Sequence, residues 1–133
     1  MITGGVATVI VSDMNRAIRF YIELLGLKLE QRFGNEWASI KAPSGLVIGL
    51  HPMSSKSPAG RSGSISIGFE LDEPLEQAVQ RLKKQGVEFR GPILDDDPVR
   101  IALFGDPDGN DLYLSELSAD FKSFAAPAKR DSV

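Results

Sequence analysis

One pattern constrains this chain more than any other: it is written twice. The first copy runs Val6-Ala7-Thr8-Val9-Ile10-Val11-Ser12-Asp13, then an amphipathic segment, then Gly26-Leu27-Lys28-Leu29-Glu30. The second runs Ser64-Ile65-Ser66-Ile67-Gly68-Phe69-Glu70-Leu71-Asp72, then an amphipathic segment, then Gly86-Val87-Glu88-Phe89-Arg90. The two agree around their glycines apart from one small indel. Repeats of this length often build solenoids, but two copies are too few to stack, so a pseudo-symmetric pair is expected. A length of 133 residues suits one ordinary domain.

Periodicity separates helix from strand inside each copy. Met14, Ala17, Ile18, Tyr21, Leu24 and Leu25 recur at helical spacing as one apolar stripe. Asp13 suits the N-cap, where its carboxylate accepts free amide protons of the first turn. Gly26 suits the residue after the helix, where a left-handed backbone costs glycine little. In the second copy Leu75, Ala78, Val79 and Leu82 form the stripe, Asp72 or Glu73 caps it, Pro74 fits the first turn and Gly86 ends it. Alternation and turn residues predict strands near 5–12, 27–33, 36–42, 46–51, 64–71, 87–91, 98–104 and 111–116. Ala42-Pro43-Ser44-Gly45 and Asp106-Pro107-Asp108-Gly109-Asn110 read as tight turns.

Each copy is therefore β-α-β-β-β, and the expected fold class is α+β. Two modules, 5–51 and 64–116, lie within a single domain spanning 1–117. A linker at 52–63 joins them, and 118–133 is a polar, Ala-rich tail on which Phe121 and Phe124 can dock. A helix covers one face of each curved mixed sheet, and the two remaining faces are expected to enclose a cleft.

Composition removes whole classes of chemistry. The chain has no cysteine and one histidine, His51, so disulfides, thiolate chemistry and Cys-type zinc centres are excluded. A three-histidine zinc site cannot form in one chain. A two-histidine-one-carboxylate iron site needs two chains. No Gly-x-Ser-x-Gly elbow, P-loop or Gly-x-Gly-x-x-Gly occurs. A net charge of −3 gives no basic footprint for nucleic acid. No apolar run is long enough to span a membrane. No basic and apolar leader opens the chain, so a cytoplasmic location is expected. Asp95-Asp96-Asp97 precedes Pro98 and reads as a solvated hairpin tip, not a metal cluster. The stretch from Asp106 is not a calcium loop: Gly109 is at loop position 4 instead of 6, Pro107 intrudes, and Leu117 stands where a glutamate is needed.

Three stretches together carry a resemblance: Val11-Ser12-Asp13-Met14 running into Ala17-Ile18-Arg19-Phe20-Tyr21, then Leu24-Leu25-Gly26-Leu27, then Phe104-Gly105-Asp106-Pro107-Asp108-Gly109-Asn110. With the duplicated β-α-β-β-β unit, the chain resembles the vicinal oxygen chelate superfamily over roughly residues 5–116. That superfamily includes glyoxalase I-like lyases, extradiol dioxygenases, epimerases, and fosfomycin- and bleomycin-resistance proteins. Its enzymes commonly hold a divalent metal on inward strand faces. The resemblance maps those positions onto Val6, Gly49, Ser66 and Tyr113. Valine and glycine cannot ligate, and neutral hydroxyls are poor ligands for a divalent ion. No metal and no cofactor are therefore expected. The resemblance also implies a homodimer, with the cleft within one chain or shared between two.

Strand alternation then assigns faces. With Gly49 and Ser66 inward, Thr8, Ile10, Val47, His51, Ser64, Gly68, Glu70, Asp111, Tyr113 and Ser115 share that side. Val9, Val11, Ile48, Leu50, Ile65, Ile67, Phe69, Leu112 and Leu114 form the helix-covered side. The candidate ligand-binding residues are His51, Glu70, Tyr113, Trp37, Ser66 and Thr8. His51 is either a hydrogen-bonding group or base near neutral pH, or a partly solvated strand end. Glu70 either recognises a cationic or hydroxylated ligand or simply reaches water. Trp37, the only tryptophan, either stacks on a flat ligand or anchors a core or dimer contact. Tyr113 either hydrogen-bonds a substrate or fills space. The expected function is metal-independent binding of a small organic molecule, as in bleomycin-resistance-type proteins. The alternative is an enzyme of the same superfamily, a lactoylglutathione lyase-like, isomerase or dioxygenase activity with an atypical site.

Overall fold

The computed structural model describes residues 1, 5–55, 59–60, 65–96 and 98–117. Much of the expected linker, Ser64, and the whole expected tail with Phe121 and Phe124 lie outside the described residues. Two compact units form: one of residues up to Ser66 with Gly105–Leu112, the other of Ile67–Phe104 with the chain from Tyr113. No helix among the described residues is long and apolar enough to cross a membrane.

The first unit carries β1 (Ala7–Val11), α1 (Met14–Arg19), β2 (Lys28–Phe33), β3 (Trp37–Lys41) and β4 (Val47–Pro52). Its sheet runs β1-β4-β3-β2. β1 lies parallel to β4, and the other two pairings are antiparallel. The second unit carries β5 (Ile67–Glu70), α2 (Leu75–Lys84), β6 (Leu94–Asp96) and β7 (Val99–Gly105), with β8 (Asp111–Leu117) completing a sheet ordered β5-β8-β7-β6. The two orders are the same once numbering is offset, so the duplication in the sequence is a duplication of sheet topology.

Helix starts differ between the copies. Asp13 caps α1 as expected, its Oδ1 accepting from the Arg16 amide at 3.0 Å. In α2 neither Asp72 nor Glu73 caps. Pro74 occupies the N-cap, and Glu116 on β8 supplies the carboxylate, accepting from the Leu75 amide at 2.9 Å. Proline has no side-chain acceptor, so the exposed amide finds a partner brought near by the fold.

Helix ends also differ. After α1 the chain winds as a wider π-helical turn, Phe20–Leu24. The closing bond, Leu27 N–H to the Tyr21 carbonyl, therefore spans one more residue than its counterpart from Val87 to Leu82. The small indel between the copies is this extra residue. The wide turn buries the adjacent Phe20 and Tyr21 together, edge to face with centroids 5.3 Å apart, and leaves Leu24 and Leu25 only half-buried.

One expected strand shifts. Residues 87–91 make only an isolated bridge, Phe89 to Phe104, and the edge strand is Leu94–Asp96. Asp95 and Asp96 thus belong to a strand paired with Arg100 and Val99, not to a free tip. Gly91-Pro92 interrupts the earlier stretch, because proline offers the ladder no amide proton.

Candidate functional site

Register across the first sheet fixes which side chains share a face. Val9, Leu50 and Ala38 line up, as do Ile48 and Ile40, and all are buried. α1 covers this side, where Arg32 Nη2 donates to Asn15 Oδ1 at 2.7 Å. The other face is open. One row across it reads Thr8, Gly49, Ser39 and Gln31. The next carries Ile10 beside His51, and Phe33 beside Trp37.

The centre of the open face is a ring over a glycine. The Trp37 indole lies across Gly49 so closely that a Cβ there would stand 2.8 Å from Cζ2 and 2.9 Å from Cζ3. Only glycine lets the backbone accept this ring. The half-buried indole therefore has one side against the strand. Phe33, 62% exposed, extends the aromatic surface. Thr8 and His51 are exposed on the same face. The His51 Nδ1 is 2.8 Å from the Pro52 carbonyl oxygen. A carbonyl can only accept, so Nδ1 is the donor in this contact. The first sheet thus offers an aromatic platform flanked by a hydroxyl, an imidazole and the Gln31 amide.

The second unit repeats the device. The Tyr113 ring crosses Gly68, with Cε2 and Oη 2.5 Å from where a Cβ would be. Glu70 is exposed two residues along the same strand face. Of the six expected site residues, Thr8, Trp37 and His51 come together on one sheet face, and Tyr113 and Glu70 share a face of the other. Ser66 precedes β5 and is exposed, outside any strand. Ile65, expected on the helix-covered side, is 81% exposed because β5 starts only at Ile67.

The four positions at which the resemblance sets a divalent ion do not fit one. Val6 has no donor, the Trp37 ring fills the space over Gly49, Ser66 is outside the strand, and the Tyr113 phenol packs on Gly68. Among the described residues, no group of three His, Asp or Glu side chains could hold a metal ion.

Two polar clusters were not read from the sequence. The Asp106 carboxylate, buried in the first unit, accepts from Tyr21 Oη at 2.9 Å, from the Asp108 and Asn110 amides, each at 2.9 Å, and from Asn110 Nδ2 at 2.8 Å. Burial, then the nearby Asp106 charge, push the Tyr21 phenol far above its ordinary range, so it stays a proton donor. Close by, Ser12 Oγ donates to Asp108, and Arg16 Nη2 bonds both. The turn motif was the only sequence signal for these contacts. In the second unit Arg100 serves three carboxylates, on Glu76, Glu116 and Asp95.

The model of the Glyoxalase/Bleomycin resistance protein/Dioxygenase superfamily matches residues 5–114. No curated protein sequence matches the chain. Among solved structures, TnmS3, an antibiotic binding protein from Streptomyces sp. CB03234, is 30% identical with a TM-score of 0.68, over 89% of this chain and 99% of that one. An integron cassette protein from V. Cholerae is 26% identical with a TM-score of 0.63, over 86% and 96%. A glyoxylase/bleomycin resistance protein/dioxygenase domain from Frankia sp. EAN1pec, at 24% identity and TM-score 0.70 over 88% and 99%, shares the fold.

Proposed function

Because the chain belongs to the Glyoxalase/Bleomycin resistance protein/Dioxygenase superfamily, we propose that it binds a small, flat organic molecule without a divalent metal, on the open face of its first sheet. The observation that carries this reading is the Trp37 indole lying across Gly49. It puts a stacking surface where a ligating side chain would otherwise project. Aromatic rings contribute large apolar area and favour offset stacking with other π-systems. Thr8 and His51 supply hydrogen bonds that orient the guest, consistent with binding sites that combine an apolar surface with a few placed polar groups. The likeness to TnmS3 supports an antibiotic or a molecule of similar chemistry as the guest.

The test is a titration read through Trp37, the only tryptophan in the chain. Bleomycin and daunorubicin serve as probes, each with and without EDTA. Saturable quenching that EDTA leaves unchanged, and that weakens in Trp37→Leu followed by calorimetry, supports the reading. Binding that EDTA abolishes overturns metal independence. Isomerisation of the methylglyoxal–glutathione hemithioacetal would favour the enzymatic alternative.

A further inference from the structure

On the helix side of the second sheet, away from Gly68 and Tyr113, there is a cavity of about 450 Å³. That volume is within the range of small-molecule sites. Val79 from α2, Ala102 from β7, and Phe89 and Ile93 from the intervening chain give it an apolar lining. The wall is tied down by main chain: Phe89 bridges to Phe104, and the Arg90 amide donates to the Leu103 carbonyl at 2.8 Å. Main-chain bonds thus anchor Phe89 and Arg90 on one side, while Glu76, Gln80 and Lys83, all exposed, line the other.

Its two charges are not equivalent. Glu76 is already engaged, its two carboxylate oxygens accepting from Arg100 Nη1 at 3.2 Å and Nη2 at 2.7 Å. Lys83 makes no ion pair among the described residues, and its Nζ stands 6.0 Å from the centre of the Phe89 ring. An ammonium group without a counter-charge beside an apolar lining complements a guest with an apolar body and one negative charge.

We propose that this cavity is a second binding site, for a small aromatic monocarboxylate whose ring packs on Val79, Phe89 and Ile93 and whose carboxylate meets Lys83. It shares no residue with the open face of the first sheet, so either site can fail without the other.

The experiment titrates the intact chain with 1-naphthoate by amide chemical shifts and calorimetry, with 1-naphthalenemethanol as the neutral isostere. The expected result is saturable binding with shifts in α2 and residues 89–93. Affinity should fall about 3- to 5-fold in Lys83→Gln, and equally for the alcohol on the unaltered protein. Gln80→Trp, on the exposed helix surface at the cavity mouth, should abolish binding. No saturable shift in these segments overturns the proposal. So does equal affinity of acid and alcohol, or binding indifferent to both substitutions.

Discussion

Replacing Gly49 with alanine probes the ring-over-glycine geometry at its tightest point. The new methyl carbon would lie 2.8 and 2.9 Å from two carbons of the Trp37 ring, against an optimum of about 3.5–4.0 Å for carbon pairs. The backbone at Gly49 cannot retreat, because β1 and β3 pair with it on either side through Thr8 and Ser39. The indole, at the free end of its side chain and half-exposed, must swing away. Overpacking of this kind costs about 1–3 kcal/mol. Displacing a partly exposed ring falls in the lower half, about 1–2 kcal/mol. In a Trp37→Ala background the collision is gone, and a glycine-to-alanine change inside a strand stabilises by about 0.5–1 kcal/mol. The double-mutant cycle should therefore show a coupling of about 1.5–3 kcal/mol. Urea unfolding by far-UV circular dichroism of the four proteins measures it, with acrylamide quenching of Trp37 as an independent readout. Quenching should rise in Gly49→Ala as the ring leaves the strand. Additive free energies with unchanged quenching would refute the packing.

Three further outcomes follow from the polar groups. Tyr21→Phe removes a buried donor to a carboxylate at 2.9 Å, a loss of about 1.5–3 kcal/mol, and calorimetry should find Tm lower by roughly 5–10 °C. A shift under about 1 °C would mean that the bond contributes nothing net. The hydrogen bond from Arg100, helped by a backbone hydrogen bond, holds the Glu76 carboxyl below the usual carboxylate range. A depressed carboxylate stabilises above its unfolded value, and that contribution is lost as pH falls through the lower folded value. Glu76→Gln should flatten the acid limb of the stability curve below about pH 4 and leave its slope near pH 7 unchanged; an unaltered acid limb contradicts the pairing. Asp13→Ala deletes the cap on α1 and should lower stability by about 1 kcal/mol in urea unfolding, with Asp13→Ser recovering most of it.

The duplicated topology, the α1 cap and the face assignment on β1, β4 and β8 were legible because each depends on neighbours in sequence. Val9, Val11, Ile48, Leu50, Leu112 and Leu114 alternate with their outward neighbours, and burial follows that period. What the sequence hid depends on distant partners. Glu116 caps α2 from a strand end, and no local rule links it to Leu75. The π-helical turn shares its apolar spacing with an ordinary helix, so burial of Phe20 beside Tyr21 was not readable. Pro92 displaced an edge strand whose alternation looked adequate at 87–91. For the candidate site, Thr8 and His51 were placed on one face by parity alone, whereas the place of Trp37 on that face follows from the register of β3 against β4. The close approach of the indole to Gly49 is set by packing between strands, and the identity of a glycine does not reveal which ring crosses it.

The most direct test of the open-face platform is the set of intermolecular nuclear Overhauser effects between bound daunorubicin and the protein in EDTA. Contacts are expected from the ligand ring protons to the Trp37 indole and the Thr8 methyl. Saturable binding with no contact to either residue would contradict it.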